Sequence, residues 1–358
     1  MNILILDKTF QTVAIVDYFE SVLWNDRYAK SGDFEIYTTP DSDIVSFVSN
    51  GYYLWNKESE HQMIMERIVV SSENDGGNKL IVSGRSLESI LDRRILWDKT
   101  TLNGNLQNEI KRLLNENFIN PTDPNRKIEN MVFLDSTDEK ITSLTIDSLE
   151  CEAGKEIYDI VEGLCETYKI GFKLIMDDDY NFVFSLYCGE DRSYNQEGNP
   201  YITFSKKYQN LIDSEYVEDS KDYKTLTLVV HENGEGELRS ETTVSISDDT
   251  GLYRREIFTT ANNIEDSDTP EQILTKMIHD GRETLNENRV QKDFECELDP
   301  KQVFVYGKDF YLGDVVQVVD NYGIEFRARV TEYMRSYSDS GIEEYPSFEV
   351  VDDYFEGE

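Results

Sequence analysis

The chain has 358 residues and a formal net charge of −37, with 72 Asp and Glu against 35 Lys and Arg. This length exceeds one typical domain, so two or three domains are expected. The negative charge disfavours non-specific binding to nucleic acid or to an anionic membrane surface. The aromatic content of 12% favours a folded, strand-rich protein over a disordered acidic one.

The N-terminal apolar run, Ile3–Leu6, is too short for a signal peptide and is followed directly by the charged residue Asp7. No stretch approaches the length of a membrane span. We therefore expect a protein that is made in a cytoplasm and has no membrane anchor.

Residues 1–100 show short strands separated by tight turns. The β-rich runs are Ile3–Leu6, Thr12–Val16, Ser21–Trp24, Asp33–Tyr37, Ile64–Val70 and Lys79–Val82. Such a series is typical of a small barrel or sandwich. The sequence therefore predicts a first β domain.

A short amphipathic α-helix is predicted to close this domain, with Ser86 as its cap. Its apolar residues recur at helical spacing and are Leu87, Ile90, Leu91 and Ile95. Arg85, Arg93 and Arg94 stand out in so acidic a chain. Arg93 and Arg94 fall in the last turn, where the helix dipole and the free carbonyls favour a cation. Helix-end chemistry and salt bridges are the plain interpretation of these arginines.

Residues 101–200 change to a mixed α+β pattern. Apolar residues at helical spacing predict one helix from Leu106 to Phe118 and a second from Gly154 to Tyr168. A hairpin follows, with strands at 172–176 and 181–186. Its acidic tip, residues 177–179, suggests a calcium loop, but a solvated turn is favoured because Asp and Asn make local hydrogen bonds there.

Strand patterns return in residues 201–358. The predicted strands are Tyr201–Phe204, Lys224–His231, Arg239–Ile246, Tyr253–Thr259, Val303–Tyr306, Asp314–Val319, Ile324–Thr331 and Ser347–Val351. Asn233–Gly236 is predicted as a hairpin turn. A helix over 269–287 is predicted from Thr269 as its cap and Pro270 at its first position. A second barrel-like β domain is expected here.

Catalytic and metal-binding patterns are weak. The three histidines, His61, His231 and His279, lie in different segments without metal-ligand spacing, and each is expected to decorate a strand or helix face. The four cysteines show no Cys-x-x-Cys spacing, and no nucleophile elbow or phosphate loop is present. We therefore predict no catalytic residues, no metal and no cofactor. Carboxylates are so abundant that a glycosidase stays open as an alternative.

Three stretches of the sequence together resemble one protein family. They are Trp24–Tyr28 with Gly32 and Asp33; Gly84, Arg85 and Leu87 followed by Arg93 and Arg94; and Tyr306, Asp309, Gly313 and Asp314. In this order they are similar to the central hub protein of siphophage tail tips, which is also the N-terminal region of tail-associated lysins and is similar to myophage baseplate hubs. Gly-Asp occurs in the first and last stretches, and related domains or a common turn pair explain it equally well.

The resemblance implies an α+β, mainly β fold, with two barrel-like β domains and an inserted α+β domain. The implied domains are 1–100, 101–200 and 201–358. It further implies a non-enzymatic virion protein of a phage or prophage, located at the tail tip. A homotrimeric ring would cap or continue the tail tube and let DNA pass. The implied partners are the distal tail protein, the tail tube or tape-measure proteins, and a tail fibre or lysin subunit.

The alternative is a carbohydrate-active enzyme or a host-binding adhesin of the tail, which would explain the aromatic content. If the chain is a hub, acidic walls would let DNA slide without sticking. We expect carboxylates to outnumber Lys and Arg on the channel wall, with Arg85, Arg93 and Arg94 in ion pairs. An evenly spread, solvated acidic surface is the competing expectation.

Overall fold

The computed structural model describes residues 2–16, 18–73, 77–232, 239–261, 264, 268–298, 304–320 and 322–351. The chain divides into two compact units. Unit 1 comprises residues 1–215 and 294–358, and unit 2 comprises residues 216–293. None of the helices in the described ranges is long and apolar enough to cross a membrane.

The largest sheet has thirteen strands. They are β1 Ile3–Leu6, β2 Thr12–Val16, β3 Ser21–Arg27, β4 Asp33–Thr38, β5 Tyr53–Asn56, β6 Met63–Glu73, β7 Gly77–Ser86, β13 Thr203–Ser205, β14 Leu211–Asp219, β18 Gln291–Leu298, β19 Val315–Val319, β20 Glu325–Ser338 and β21 Gly341–Val350. Eleven of them follow the open order β14-β18-β21-β20-β3-β4-β7-β6-β5-β1-β2, while β19 pairs with β13 and β20. The centre of the sheet therefore joins N-terminal β3 to C-terminal β20.

Residues 100–187 form the α+β part of unit 1. Its elements are β8 Thr100–Asn105, α2 Leu106–Leu114, β9 Met131–Leu134, α3 Glu139–Thr142, β10 Thr145–Cys151, α4 Ile157–Thr167, β11 Gly171–Met176 and β12 Phe182–Tyr187. The predicted hairpin is confirmed as β11 and β12, paired in register from Gly171 to Met176. At its tip Asp177 Oδ1 accepts from the amides of Asp179 and Asn181, which is the local bonding expected of a turn.

Among the described residues of unit 1, two apolar clusters contribute to the core. One includes residues of α2, α4 and the β11–β12 hairpin, with Leu114, Phe118 and Phe172 fully buried. The other lies on the large sheet around Trp24 and Phe34. A short helix, α1 Ser42–Phe47, has no fully buried residue.

Unit 2 is a small sheet packed against one helix. Its strands are β16 Ser240–Ser245, β15 Leu226–His231 and β17 Glu256–Thr260, in that spatial order, and its helix is α5 Pro270–Glu287. The predicted helix over 269–287 is confirmed. It begins after Thr269 because Thr269 and Gln272 form a reciprocal capping box. Gly281 lets α5 approach the sheet, since a Cβ there would lie 2.6 Å from Cγ2 of Val244. The predicted turn at Asn233–Gly236 lies outside the described residues.

Two local predictions are wrong. The α-helix after Ser86 is a 3₁₀ helix, Leu87–Arg93, and the Ser86 side chain does not cap it. Five consecutive residues from Leu87 are buried, so the helix exposes residues only at its C-terminal end. The strand expected at 303–306 is replaced, over its described part, by a turn in which the carbonyl of Val305 accepts from the amides of Lys308 and Asp309. The two-barrel arrangement and the boundaries at 100 and 200 stay predictions.

Candidate functional site

Gly32 and Gly84 lie where the first two motifs meet in the large sheet. Phe34 of β4 pairs with Gly84 of β7, and a Cβ at Gly84 would lie 1.9 Å from the carbonyl oxygen of Ile64. A Cβ at Gly32 would lie 2.2 Å from the carbonyl oxygen of Asn25. Both positions therefore exclude any larger residue, because backbone approaches them directly.

Ser86 and Asp33 connect these motifs through hydrogen bonds and charge. The Gly32 amide donates to Ser86 Oγ over 2.7 Å, and the Ser86 amide donates to the Gly32 carbonyl over 2.9 Å. Asp33 pairs with Arg27, which also reaches Glu332 of β20 over 2.9 Å. Segments separated by about three hundred residues in sequence are thereby joined in one ion-pair network.

The three arginines of the second motif have different environments. Arg85 donates to both carboxylate oxygens of Glu66 over 2.9 and 2.8 Å, and also pairs with Asp92. These carboxylates raise the pKa of Arg85. Arg94 instead donates to the carbonyl oxygen of Arg126 over 3.1 and 2.9 Å. Arg93 is exposed.

Glu88, within the second motif, is fully buried in an ion pair that the sequence did not reveal. One carboxylate oxygen lies 2.8 Å from Nδ1 of His61 and accepts from the Leu174 amide over 2.9 Å. Burial alone would disfavour a charged imidazole, but Glu88 outweighs it and raises the pKa of His61 to about 9. Burial likewise opposes ionisation of Glu88, but His61 outweighs it and lowers the pKa of that carboxyl. The pair ties the 3₁₀ helix to strand β11.

Asp26 and Ser59 extend this pair into what we call the buried ion cluster: Asp26, Ser59, His61 and Glu88. Ser59 Oγ lies 2.9 and 3.0 Å from the two carboxylate oxygens of Asp26, and burial raises the pKa of Asp26. In a catalytic triad the imidazole stands between the nucleophile and the carboxylate. Here the serine bonds the carboxylate directly and all four side chains are buried, so the cluster is built for structure.

Tyr28, at the end of the first motif, is the point where three segments meet. A Cβ at Gly171 would lie 2.4 Å from its ring, and a Cβ at Gly313 would lie 2.3 Å from it. Its hydroxyl donates to the carbonyl of Lys169 over 3.2 Å. The ring therefore fills the space left by one glycine from the α+β part and one from the third motif.

Asp314 completes what we call the Tyr28 junction: Tyr28, Gly171, Gly313 and Asp314. Asp314 is 2% exposed, and its carboxylate accepts from the Glu190 amide, from Nε of Arg192 and from the Tyr311 amide over 2.7, 2.7 and 3.1 Å. Gly313 has a positive φ of 88°, which favours glycine. This junction holds the segment after β12 against the start of β19.

Tyr306 and Asp309 shape the turn before that junction. Asp309 accepts from the Val305 amide over 2.8 Å. The Tyr306 ring stacks on Tyr333 of β20 with centroids 3.8 Å apart, and the Arg335 guanidinium lies 5.4 Å from the Tyr306 centroid. Both residues therefore organise the turn and its packing on β20.

All eleven motif residues thus lie in unit 1, in or next to strands β4 and β7, in or just after the 3₁₀ helix, and in the loop before β19. His61 and Glu88 were not among the expected site residues, and Tyr28 was noted only as the end of the first motif. Glu88 stands among Ser86, Ser89 and Asp92, so no local pattern marked it as a buried residue. Within the described ranges, no group of three or more His, Cys, Asp or Glu is arranged to hold a metal ion.

The whole fold is similar to that of solved tail proteins. The tail protein from Neisseria meningitidis MC58 matches with a TM-score of 0.60 at 12% identity, covering 99% of this chain and 98% of that chain. The 43 kDa tail protein of prophage MuSo2 from Shewanella oneidensis matches with 0.61 at 12% identity, covering 98% of each. Prophage tail protein gp18 from Listeria monocytogenes EGD-e matches with 0.55 at 13%, covering 97% and 94%. The fold is therefore that of phage and prophage tail proteins.

The sequence agrees with this class. The chain belongs to the family described as Siphovirus ReqiPepy6 Gp37-like protein, which matches residues 2–347. No curated protein matches the sequence significantly. The predicted resemblance to siphophage tail proteins is confirmed, and family and fold together support a structural role in a tail.

Proposed function

We propose that the chain is the central hub of a phage or prophage tail tip, assembled as a homotrimeric ring that caps or continues the tail tube. The observation that carries this is the full-length match, in both directions, to two tail proteins. The whole chain, including the α+β part and unit 2, has the size of such a component.

The buried carboxylates of the motif segments support a structural role because they bond groups within the chain. Glu88 Oε1 bonds an imidazole and a backbone amide, and the Asp314 carboxylate accepts from a guanidinium and backbone amides. An enzyme requires reactive groups that can reach a substrate. We therefore propose that the protein is non-enzymatic, and that its partners are the distal tail protein, the tube or tape-measure proteins, and a fibre or lysin subunit.

The net charge fits a channel through which DNA passes. Three copies together would carry about −111, and such a charge weakens assembly unless it serves solubility or faces a channel. Acidic walls would repel phosphates, whereas basic walls would bind them through counterion release. The proposal therefore includes an excess of carboxylates over Lys and Arg on the channel wall.

Light scattering at several protein concentrations, combined with imaging of tail particles, tests the hub. We expect a species with three times the chain mass and a three-fold ring at the tail tip. A strict monomer at high concentration and in particles would reject the trimer. A neutral or basic lining in a trimer map would reject only the lubricating channel.

Zymograms on host cell walls test the absence of catalysis. We expect no cleared zone from the purified chain. Lysis that one carboxylate substitution abolishes would reject the structural assignment.

A further inference from the structure

The two edges of the large sheet differ in charge. Edge strand β14 carries four carboxylates within its nine residues, Asp213, Glu215, Glu218 and Asp219. The opposite edge strand, β2, has the sequence TVAIV and carries none. Proteins protect exposed edges with charged side chains because an uncharged edge is a template for another strand. Strand β2 lacks that protection, and within the described ranges it pairs with β1 alone.

One face of this edge presents an apolar row. Leu4 of β1 pairs with Ile15 on one side and with Trp55 of β5 on the other. Ile15 is 64% exposed, while Leu4 and Trp55 are half-buried. An added strand next to β2 would extend this row and cover Ile15.

The other face of the edge borders an apolar pocket of about 20 Å³. Val16 lines it together with Phe19, Ile44 and Val48, and Thr38 is the one polar residue among the twelve that line it. Ile44 belongs to α1, the helix without a fully buried residue. A pocket with so few polar partners does not hold an ordered water well, so it suits an apolar side chain of an added strand.

Carboxylates stand next to the residues that line this pocket. Glu20 follows Phe19 and bonds Thr39, Asp43 precedes Ile44, and Asp41 caps α1. The local charge is therefore negative, as is that of the chain at −37. Lys or Arg beside an apolar strand would therefore be attracted to this edge.

We propose that β2 is a docking site for a strand of another protein, namely an extended segment of alternating apolar residues flanked by Lys or Arg. Backbone hydrogen bonds to β2 give affinity, the pocket and the Ile15 row select apolar side chains, and the carboxylates select basic flanks. The site uses none of the eleven motif residues, and it holds whether or not the chain is a trimeric hub.

The test uses two fluorescein-labelled peptides, KKTVTVTKK and EETVTVTEE, titrated with the full chain and followed by anisotropy. We expect the lysine peptide to bind at low salt at least about tenfold more tightly than the glutamate peptide, with the difference shrinking at high salt. Hydrogen exchange of the complex should show new protection of the Thr12–Val16 amides.

Two matched variants locate the site. Ile15→Lys places a charge on β2, and Ile212→Lys places the same charge at a 40% exposed isoleucine on β14. We expect Ile15→Lys to lower the affinity for the lysine peptide at least about tenfold. We expect Ile212→Lys to leave that affinity unchanged. No binding of either peptide, equal binding of both, equal effects of both variants, or no new amide protection would overturn the proposal. Self-association of the wild-type chain that Ile15→Lys abolishes would also overturn it, since the occupant would then be a second copy.

Discussion

The buried ion cluster and the Tyr28 junction both bury a carboxylate that ties distant segments together, but with different partners. Glu88 faces a histidine, whose charge depends on pH. Asp314 faces an arginine and two backbone amides, which do not titrate in the ordinary range. The first site therefore couples folding to pH through His61. The packing of the two sites also differs. The Tyr28 junction depends on two glycines, because a side chain at either would overlap the Tyr28 ring.

The largest expected effect is at Gly313. Gly313→Ala would place a methyl group 2.3 Å from the Tyr28 ring at a positive φ of 88°, so the free energy of unfolding should fall by at least about 3 kcal/mol. Urea denaturation measures this.

Gly307→Ala is the matched control. Gly307 also has a positive φ, of 79°, but nothing lies within 4 Å of the added Cβ, so only the backbone strain of about 1 kcal/mol is expected. Equal losses for the two variants would show that the Tyr28 contact is unimportant.

Removing each buried charge should show the next largest effect. Glu88→Gln leaves a buried imidazolium without its counter-ion and should cost about 3 kcal/mol. Asp314→Asn should cost less, about 2 kcal/mol, because an amide oxygen can still accept from a backbone amide. Urea denaturation at pH 6 compares them, with Glu66→Gln at the exposed Arg85 pair as the control. A larger loss for Asp314→Asn would reverse the comparison.

The pH dependence of stability separates the two sites further. Because Glu88 outweighs burial and raises the pKa of His61 from 6.5 to about 9, the folded state keeps a proton that the unfolded chain releases. This stabilisation is complete below pH 6.5 and is lost as the pH rises through 9, with an expected fall of about 3 kcal/mol.

Urea denaturation from pH 6 to pH 9.5 in wild type, His61→Gln and Asp314→Asn tests this. The fall should vanish in His61→Gln and persist in Asp314→Asn. A fall of the same size in His61→Gln would assign the effect to another group.

The smallest effect belongs to the exposed ion pairs. Arg85 is 42% exposed at its side chain, so Arg85→Ala should cost only about 0.5–1 kcal/mol and less in high salt. Arg93→Ala, eight residues further along, should be within about 0.5 kcal/mol of wild type. Thermal denaturation at two salt concentrations measures both. A loss for Arg85→Ala as large as for Glu88→Gln would remove the distinction between buried and exposed charges.

Local signals predicted much of the secondary structure. The β11–β12 hairpin and helix α5 were predicted because turn and capping residues lie beside the segments they define. Strands β5, β8, β9, β10 and β14 and helices α1 and α3 were missed, since they are short or lack a clear alternation. Ser86 was wrongly predicted as a helix cap because its hydroxyl oxygen accepts a hydrogen bond from the amide of Gly32, 54 residues earlier.

The sites themselves depend on contacts that no local pattern carries. Glu88 bonds an amide 86 residues away, and the Tyr28 ring meets Gly313 after almost three hundred residues. The glycines of the motifs could be noticed in the sequence, but not which ring or carbonyl approaches them. The family resemblance named segments of the chain but not the residues that contact them.

The pairing of β3 with β20 has a consequence for synthesis on the ribosome. Trp24 of β3 pairs with Arg335 of β20, so roughly three hundred more residues must be synthesised before β20 can pair with β3. At about 5–20 residues per second, one side of β3 stays unpaired for roughly 15–60 s. Premature contacts between neighbouring nascent chains are the hazard of that interval, and the acidic chain repels its own copies throughout it.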